Sequence, residues 1–173
     1  MNFRLIANTT SYVLWVEAGF LLLPLLVSVL YGEPWMPFFA TAVLCILIGF
    51  ILQLVPVKKA QMHSRDGFMA VALGWIALSL TGALPYVFSG ALTEYEDAVF
   101  ETVSGLTTTG STVFPEVEHL YRSVLLWRSL TQWMGGMGVL VLFLALMPKL
   151  GDGAVYLLSL IHISEPTRLR CIS

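Results

Sequence analysis

Four long apolar segments divide the chain, and a polar stretch separates the last two of them. The segments cover residues 12–31, 35–55, 68–88 and 124–147. A helix needs about 20 predominantly apolar residues to cross the hydrocarbon core of a bilayer. Each segment therefore predicts a membrane-spanning helix. Glu17 and Pro24 interrupt the first span, where a proline is tolerated and a lone glutamate faces protein rather than lipid.

Composition supports the same class. Hydrophobic residues make up 57 % of the 173-residue chain and charged residues only 12 %, whereas soluble domains are about a quarter charged. We therefore predict an all-α polytopic membrane protein surrounded by lipid. The net charge of −2 argues against a nucleic-acid partner. The two cysteines form neither a disulfide framework nor a zinc-binding spacing.

The stretch "TEYEDAVFETVSGL" between the last two spans has a helical pattern. It predicts a helix over residues 94–105, with Thr93 and Glu96 at the spacing of a capping box and Gly105 at its end. At about 12 residues this helix cannot cross the bilayer. A short helix followed by the polar loop 107–112 indicates a re-entrant segment that enters and leaves on the same side.

The loop "TTTGST" has the chemistry of an ion filter. A cation that leaves water needs its hydration oxygens replaced, and rings of backbone carbonyls do this in potassium channels. Thr107, Thr108 and Thr109 can offer carbonyls, and Gly110 can adopt a positive φ at little cost. The preceding helix directs its partly negative end towards the ion. An exposed linker of similar composition is the alternative, and the half-length helix in front of the loop disfavours it.

Charge predicts the orientation. Basic residues favour the cytoplasmic side, and here they lie at alternate span ends: Arg4, Lys58, Lys59, Arg65 and Lys149. The N-terminus is then cytoplasmic and the filter loop lies outside. Six of the eleven acidic residues fall between the last two spans, on the outer side: Glu94, Glu96, Asp97, Glu101, Glu116 and Glu118.

Two further sets of residues are candidates for supporting the filter. Arg128 near the outer end of the last span could pair with Glu101 behind the loop, or extend to the membrane interface. If they pair, reversing both charges should recover uptake that either single reversal loses. Gly135, Gly136 and Gly138 in "WMGGMG" allow close helix packing or form a hinge, and packing is favoured.

The sequence "FETVSGLTTTGSTVF", followed by "WRSLTQWMGGMGVLVLFLALMP", resembles the first pore repeat of the Trk/Ktr potassium-uptake proteins. The resemblance covers residues 68–151, and the two preceding spans fit the extra helix pair of the Trk branch. It implies one chain with four repeats of helix, pore helix and helix around a single pore. By this resemblance Thr108, Thr109 and Gly110, with Thr107 next to them, bind K⁺ through their carbonyls.

The same resemblance implies a multi-pass protein of the cell membrane that transports K⁺ without an organic cofactor. It also implies a homodimer that works with a cytosolic nucleotide-binding ring protein. Proton linkage, sodium dependence and channel-like conduction are all compatible with these residues. Two other function classes are a non-conducting membrane scaffold and a membrane enzyme using Glu17, Glu101 or a histidine, which no catalytic signature supports.

Only one pore repeat is present, so we interpret the chain as the N-terminal piece of a longer transporter. We assign residues 1–60 to the N-terminal helix pair and 61–157 to the first pore repeat. Residues 158–173, "SLIHISEPTRLRCIS" with the leucine before it, resemble the in-frame translation of a sequencing adapter. We expect this tail to be non-native read-through.

Overall fold

The computed structural model describes residues 3–54 and 64–146, and these contain six helices and no strand. The helices are α1 (Phe3–Tyr31), α2 (Met36–Gln53), α3 (Ser64–Gly82), α4 (Leu84–Phe88), α5 (Tyr95–Leu106) and α6 (Arg122–Leu146). The predicted all-α class is confirmed. The chain divides into two compact units, Met1–Gly136 and Met137–Ser173, and the end of α6 is the described part of the second.

Within residues 3–54 and 64–146, three helical segments are long and apolar enough to cross a membrane: Ile6–Tyr31, Met36–Gln53 and Asp66–Phe88. They coincide with the first three predicted spans. The fourth predicted span corresponds to α6. That this helix crosses the membrane stays a prediction. The predicted cytoplasmic loop around Lys58 and Lys59, the end of the fourth span at Lys149 and the tail lie outside the described residues.

The helix α1 begins at Phe3, well before the predicted start of the span at residue 12. Two hydroxyl groups explain the difference, because they bond to the backbone of their own helix. Thr10 Oγ1 donates to the Ile6 carbonyl at 3.0 Å, and Ser11 Oγ donates to the Asn8 carbonyl at 2.7 Å. Polar residues whose hydroxyls are satisfied in this way do not end a helix.

The third span is broken at Ala83, which separates α3 from α4. Pro85 causes the break, since it lacks an N–H and its ring clashes with the carbonyl four residues earlier. The Tyr86 N–H bonds to the Ala83 carbonyl at 3.2 Å instead of continuing the α-helical pattern. The freed Gly82 carbonyl accepts a hydrogen bond from Trp127 Nε1 of α6 at 2.9 Å. The break is therefore satisfied by a neighbouring helix.

A hydrophobic core joins five of the described helices in the first unit. Trp127, Tyr86 and Phe38 are fully buried in it, and it combines residues from α1, α2, α4, α5, α6 and the loop after α5. Large apolar side chains also cover the outer faces of α1 and α2, where Leu30 is 72 % and Ile51 63 % exposed. Such surfaces suit lipid, which is as apolar as these side chains.

Candidate functional site

The short helix α5 begins one residue later than predicted, and the expected capping box is wrong. Glu94, not Thr93, is the N-cap, with φ −93° and ψ 131° and no side-chain cap. The Glu94 carbonyl accepts the Ala98 N–H at 3.3 Å. This start places Glu96 two residues after the N-cap, so the reciprocal spacing that a capping box needs is lost. Glu96 and Asp97 still lie in the first turn, where the helix dipole favours negative charge.

The C-terminal end of α5 has a Schellman geometry built on a threonine. The Thr108 N–H bonds to the Gly105 carbonyl at 2.9 Å, and the Thr109 N–H bonds to the Ser104 carbonyl at 3.0 Å. These two bonds require a left-handed residue after the helix, a position usually filled by glycine. Here it is Thr108, with φ 57°. The prediction that Gly105 ends the helix is wrong, because the helix continues to Leu106.

A positive φ in a β-branched residue is a genuine outlier. Strained backbone of this kind persists only where the surrounding structure over-determines it. Gly110 also has a positive φ, 77°, so two left-handed residues lie within three positions of the loop. The loop at residues 107–112 is exposed in this chain. No hydrogen bond among the described residues ends on the carbonyl oxygens of residues 107–110.

The loop hydroxyls bond locally. Thr107 Oγ1 donates to the Val103 carbonyl at 2.8 Å and lies 2.9 Å from Thr109 Oγ1. On the other side, Ser104 Oγ donates to the Ser111 carbonyl at 2.6 Å. The last turn of α5 therefore holds both arms of the loop, which leaves the turn between them as the projecting part.

Glu101 lies behind the loop and is 1 % exposed. Its Oε1 pairs with Arg128 Nε at 2.5 Å. Its Oε2 accepts hydrogen bonds from Thr112 Oγ1 at 2.9 Å and from the Val113 N–H at 3.1 Å. A buried charge is tolerated when it is paired and its remaining lone pairs are satisfied. The carboxylate thus connects α5, the outgoing arm of the loop and α6.

The glycines of α6 pack against this region. A Cβ on Gly135 would overlap the backbone carbonyl of Leu106, the last residue of α5. A Cβ on Gly136 would lie 3.7 Å from the Thr108 methyl group. Gly105 has no room for a side chain beside Thr131. Close packing explains Gly135, whereas Gly138 lies half-buried in the second unit.

A second buried glutamate, Glu17 of α1, lies in a different environment. It is 1 % exposed, and its Oε2 lies 2.6 Å from Thr81 Oγ1 and 3.8 Å from Cys45 Sγ. Its Oε1 has no hydrogen-bond partner among the described residues. These residues come from three helices, so Glu17 joins α1 to α2 and α3. No group of three or more metal-ligating side chains occurs in residues 3–54 and 64–146.

The sequence predicted the pairing of Glu101 with Arg128 but not the other residues that hold the loop. Ser104 and Thr112 contribute hydrogen bonds that hold the arms of the loop. The sequence signal that could have indicated Thr112 is a hydroxyl residue that follows a half-length helix by a few positions. Glu33, in the turn between α1 and α2, also contacts α6 and carried no signal, because its partners lie 89 and 90 residues away in the chain.

Known proteins share this sequence and fold. The family model described as "TrkH: Cation transport protein" matches residues 35–162. The match extends five residues into the predicted tail, which starts at residue 158, and the non-native origin of the tail stays a prediction. The chain is 38 % identical over 161 residues to the Trk system potassium uptake protein TrkH of Salmonella typhimurium, covering 91 % of this chain and 33 % of that protein. It is 36 % identical over 157 residues to the Trk system potassium uptake protein TrkG of Escherichia coli, covering 89 % and 32 %.

A solved structure is also similar. The crystal structure of the potassium transporter TrkH from Vibrio parahaemolyticus matches with a TM-score of 0.80 at 35 % identity. The match covers 86 % of this chain and 32 % of that one. The present chain therefore spans about a third of the length of the curated relatives that it matches.

Proposed function

Because the chain belongs to the TrkH family of cation transport proteins, we propose that it is part of the pore-forming subunit of a potassium-uptake system. Membership of this family confirms the resemblance to the Trk/Ktr proteins. It also confirms the prediction of a multi-pass membrane protein that belongs to a family of transporters rather than enzymes. In this proposal K⁺ is the transported ion and crosses the cell membrane without covalent chemistry.

The observation that carries the proposal is the backbone after α5. A positive φ at Thr108 and at Gly110 interrupts regular structure while the carbonyls of residues 107–110 accept no hydrogen bond from the described residues. Irregular backbone at membrane depth is tolerated where it is buried in protein or lines a wet cavity. Unused carbonyls are the ligands that a dehydrated potassium ion needs. We assign them to K⁺ binding, with Thr108, Thr109 and Gly110 as the main ligands and Thr107 beside them.

Glu101 and Arg128 support the filter in this proposal. Their ion pair and the bonds from Glu101 to Thr112 and Val113 hold the outgoing arm at a fixed distance from α5 and α6. Glu101 is buried and both charges are engaged with each other, so in this proposal their role is to keep the strained backbone in place. The partly negative end of α5 adds a favourable potential for a cation.

The conducting form is the full-length protein, in which four such repeats surround one pore. We place the N-terminus on the cytoplasmic side and the filter loop on the outer side, according to the positions of the basic residues. As in the family resemblance, the full-length protein is a homodimer that works with a cytosolic nucleotide-binding ring protein. The relatives named above are themselves called potassium uptake proteins.

The test is potassium uptake by the full-length protein in a strain that lacks its own uptake systems. Gly110→Val should lower uptake and the preference for K⁺ over Na⁺, because a β-branched residue is strained at φ 77°. The matched control is Gly90→Val, since Gly90 has a similar φ of 71° and, like Gly110, open space around it, but lies before α5.

Both variants carry similar backbone strain, so a difference between them reports on the filter. Unchanged ion preference in Gly110→Val would contradict the filter assignment. A full-length wild-type protein that inserts into the membrane but supports no potassium flux would instead favour the scaffold alternative.

A further inference from the structure

The turn between α1 and α2 holds the first turn of α6. Glu33 Oε1 accepts the Arg122 N–H at 2.9 Å, and Glu33 Oε2 accepts the Ser123 N–H at 2.9 Å and Ser123 Oγ at 2.6 Å. The Arg122 guanidinium lies 4.4 Å from the centre of the Tyr31 ring, close enough for a cation–π contact. The N-terminal helix pair and the start of α6 are therefore joined by one carboxylate and one stacked arginine.

This contact replaces a local helix cap. The first N–H groups of a helix have no partner within it, and a short polar side chain at the N-cap usually accepts one of them. Here the N-cap position belongs to Tyr121, whose carbonyl accepts the Leu125 N–H at 3.0 Å and whose side chain is a phenol. Glu33 supplies the acceptors from another part of the chain, and its negative charge suits the positive end of the helix dipole.

Electrostatics favour the charged form of Glu33. Partial desolvation acts to raise its pKa, but the opposing contributions are larger together and lower the pKa below its usual value. These contributions are the hydrogen bonds from the Ser123 side chain and backbone and the Arg122 backbone, and the Arg122 charge. The contact is thus a charged one at neutral pH.

The helix that Glu33 holds is the same helix that supports the filter loop. Arg128 of α6 pairs with Glu101, and Gly135 of α6 packs against the last residue of α5. A shift of the outer end of α6 would therefore move Arg128 and Glu101, and with them the arm that carries Thr112.

We propose that Glu33 is a positioning residue for the ion filter, and that α1 and α2 with their connecting turn brace the outer end of α6. This inference rests on the proposed function, since it assigns a role in the same filter. It gives the N-terminal helix pair a task in ion selection, although neither helix contributes residues to the loop at 107–112.

The experiment uses the full-length protein and measures potassium uptake and K⁺ over Na⁺ preference for Glu33→Ala. Loss of the capping carboxylate is expected to lower the maximal uptake rate and the preference for K⁺ over Na⁺, because it frees the outer end of α6. The matched control is Glu118→Ala, which removes an exposed negative charge from the loop between α5 and α6 but leaves the contact of Glu33 with α6 intact. Equal effects of the two changes would mean that Glu33 acts only through its negative charge on the ion, and would overturn the proposal.

A second variant separates bracing from simple helix stabilisation. Glu33→Ala combined with Tyr121→Asp places a good capping residue at the N-cap of α6 itself, without any connection to the helix pair. Thermal unfolding of the purified variants should show recovered stability in the double variant, whereas ion preference should stay low. Recovery of both properties would mean that Glu33 is only a cap, and would overturn the bracing role.

The outcomes also separate this inference from the proposed function. If the wild-type protein transports K⁺ and Glu33→Ala keeps wild-type rate and preference, the bracing role fails while the proposed function stands. If Glu33→Ala does not reach the membrane, Glu33→Gln, which keeps one acceptor oxygen, should give an intermediate uptake rate and ion preference. A wild-type result for Glu33→Gln would count against the need for the charge.

Discussion

Two buried glutamates, Glu101 and Glu17, lie at two different junctions between helices of the first unit. At the junction behind the proposed filter (the filter junction), Glu101 pairs with Arg128 and accepts hydrogen bonds from Thr112 and Val113. At the helix-pair junction, Glu17 meets a hydroxyl and a thiol, and one of its oxygens has no partner among the described residues. Both side chains are 1 % exposed, so burial alone does not distinguish them.

The difference lies in what each junction must hold. The filter junction secures a loop with two left-handed residues, one of them a threonine, and such strain requires many fixed contacts. The helix-pair junction secures regular helices, which satisfy their own backbone and need only side-chain packing. The Arg128 guanidinium, one backbone N–H and one hydroxyl therefore bond to the glutamate where irregular backbone has to be held.

The largest expected effect comes from breaking the filter junction at Glu101. Glu101→Ala leaves the Arg128 charge without its partner and the Val113 N–H without its acceptor. Removing one member of a buried pair costs about 3 kcal/mol or more, so thermal unfolding of the full-length protein should occur at a much lower temperature and uptake should be lost.

The structure also changes the expectation for charge reversal. Glu101→Arg with Arg128→Glu restores opposite charges, but an arginine at position 101 cannot accept the Val113 N–H. We therefore expect partial recovery of uptake relative to either single reversal, and less than the full recovery that pairing alone predicts. Full recovery would mean that the bonds to the loop arm are unimportant.

A glycine in each junction allows a direct comparison of packing. In Gly135→Ala the new Cβ would overlap the Leu106 backbone, whereas in Gly49→Ala it would first meet the Trp15 indole. Backbone at the end of α5 cannot move without disturbing the loop, so Gly135→Ala should cost about 1–3 kcal/mol and lower ion preference. Gly49 lies near the end of α2 that is remote from the Glu33 turn, so Gly49→Ala should reduce the unfolding temperature without changing ion preference. A selectivity change in Gly49→Ala would contradict the separation of the two junctions.

Neutral replacement of each carboxylate gives a smaller, sharper contrast. In Glu17→Gln no ion pair is lost, because Glu17 forms none within the part of the chain that the structure describes. We expect a cost below about 1 kcal/mol and wild-type uptake. Glu101→Gln removes the charge that Arg128 requires and should be clearly less stable. Similar unfolding temperatures for the two glutamine variants would contradict the difference that we infer between the two junctions.

The smallest effect is a pH dependence at the outer contact of the helix pair. The pKa of Glu33 is lowered in the folded protein, so its stabilising contribution is present above the unfolded value of 4.5 and is lost as pH falls through the folded pKa. The stability difference between wild type and Glu33→Ala should therefore be constant near neutral pH and shrink in acid. The measurement is thermal unfolding of both proteins across this range, and a difference that persists at the lowest pH would contradict it.

Local patterns predicted the helices well and their ends less well. The apolar segments identified α2 within two residues, because a spanning helix must be apolar over a defined length. The early start of α1 was missed because the Thr10 and Ser11 hydroxyls bond within their own helix. The break at Ala83 was missed because a proline does not always break a membrane helix, as Pro24 inside the continuous α1 shows. The group that accommodates the break, Trp127, lies 45 residues from the freed carbonyl.

For the candidate site, the sequence identified the loop and the pairing of Glu101 with Arg128. It assigned the left-handed conformation to Gly110, which has it, and not to Thr108, which has it as well. Residue type makes glycine the natural choice at such a position. A threonine adopts this conformation only when bonds from Ser104, Gly105 and Glu101 fix both sides of the loop, and those bonds depend on the folded chain.

The sequence by itself determined the membrane class, the helical spans and the polar loop behind a half-length helix, because hydrophobicity and residue type act over short stretches. The tertiary structure alone decided which carboxylate would hold the loop, which would join the helix pair, and that Glu33 would cap α6. The reason is physical: buried charges and unpaired backbone groups are satisfied by whatever partner the fold brings within hydrogen-bonding distance, and distance along the chain does not limit that choice.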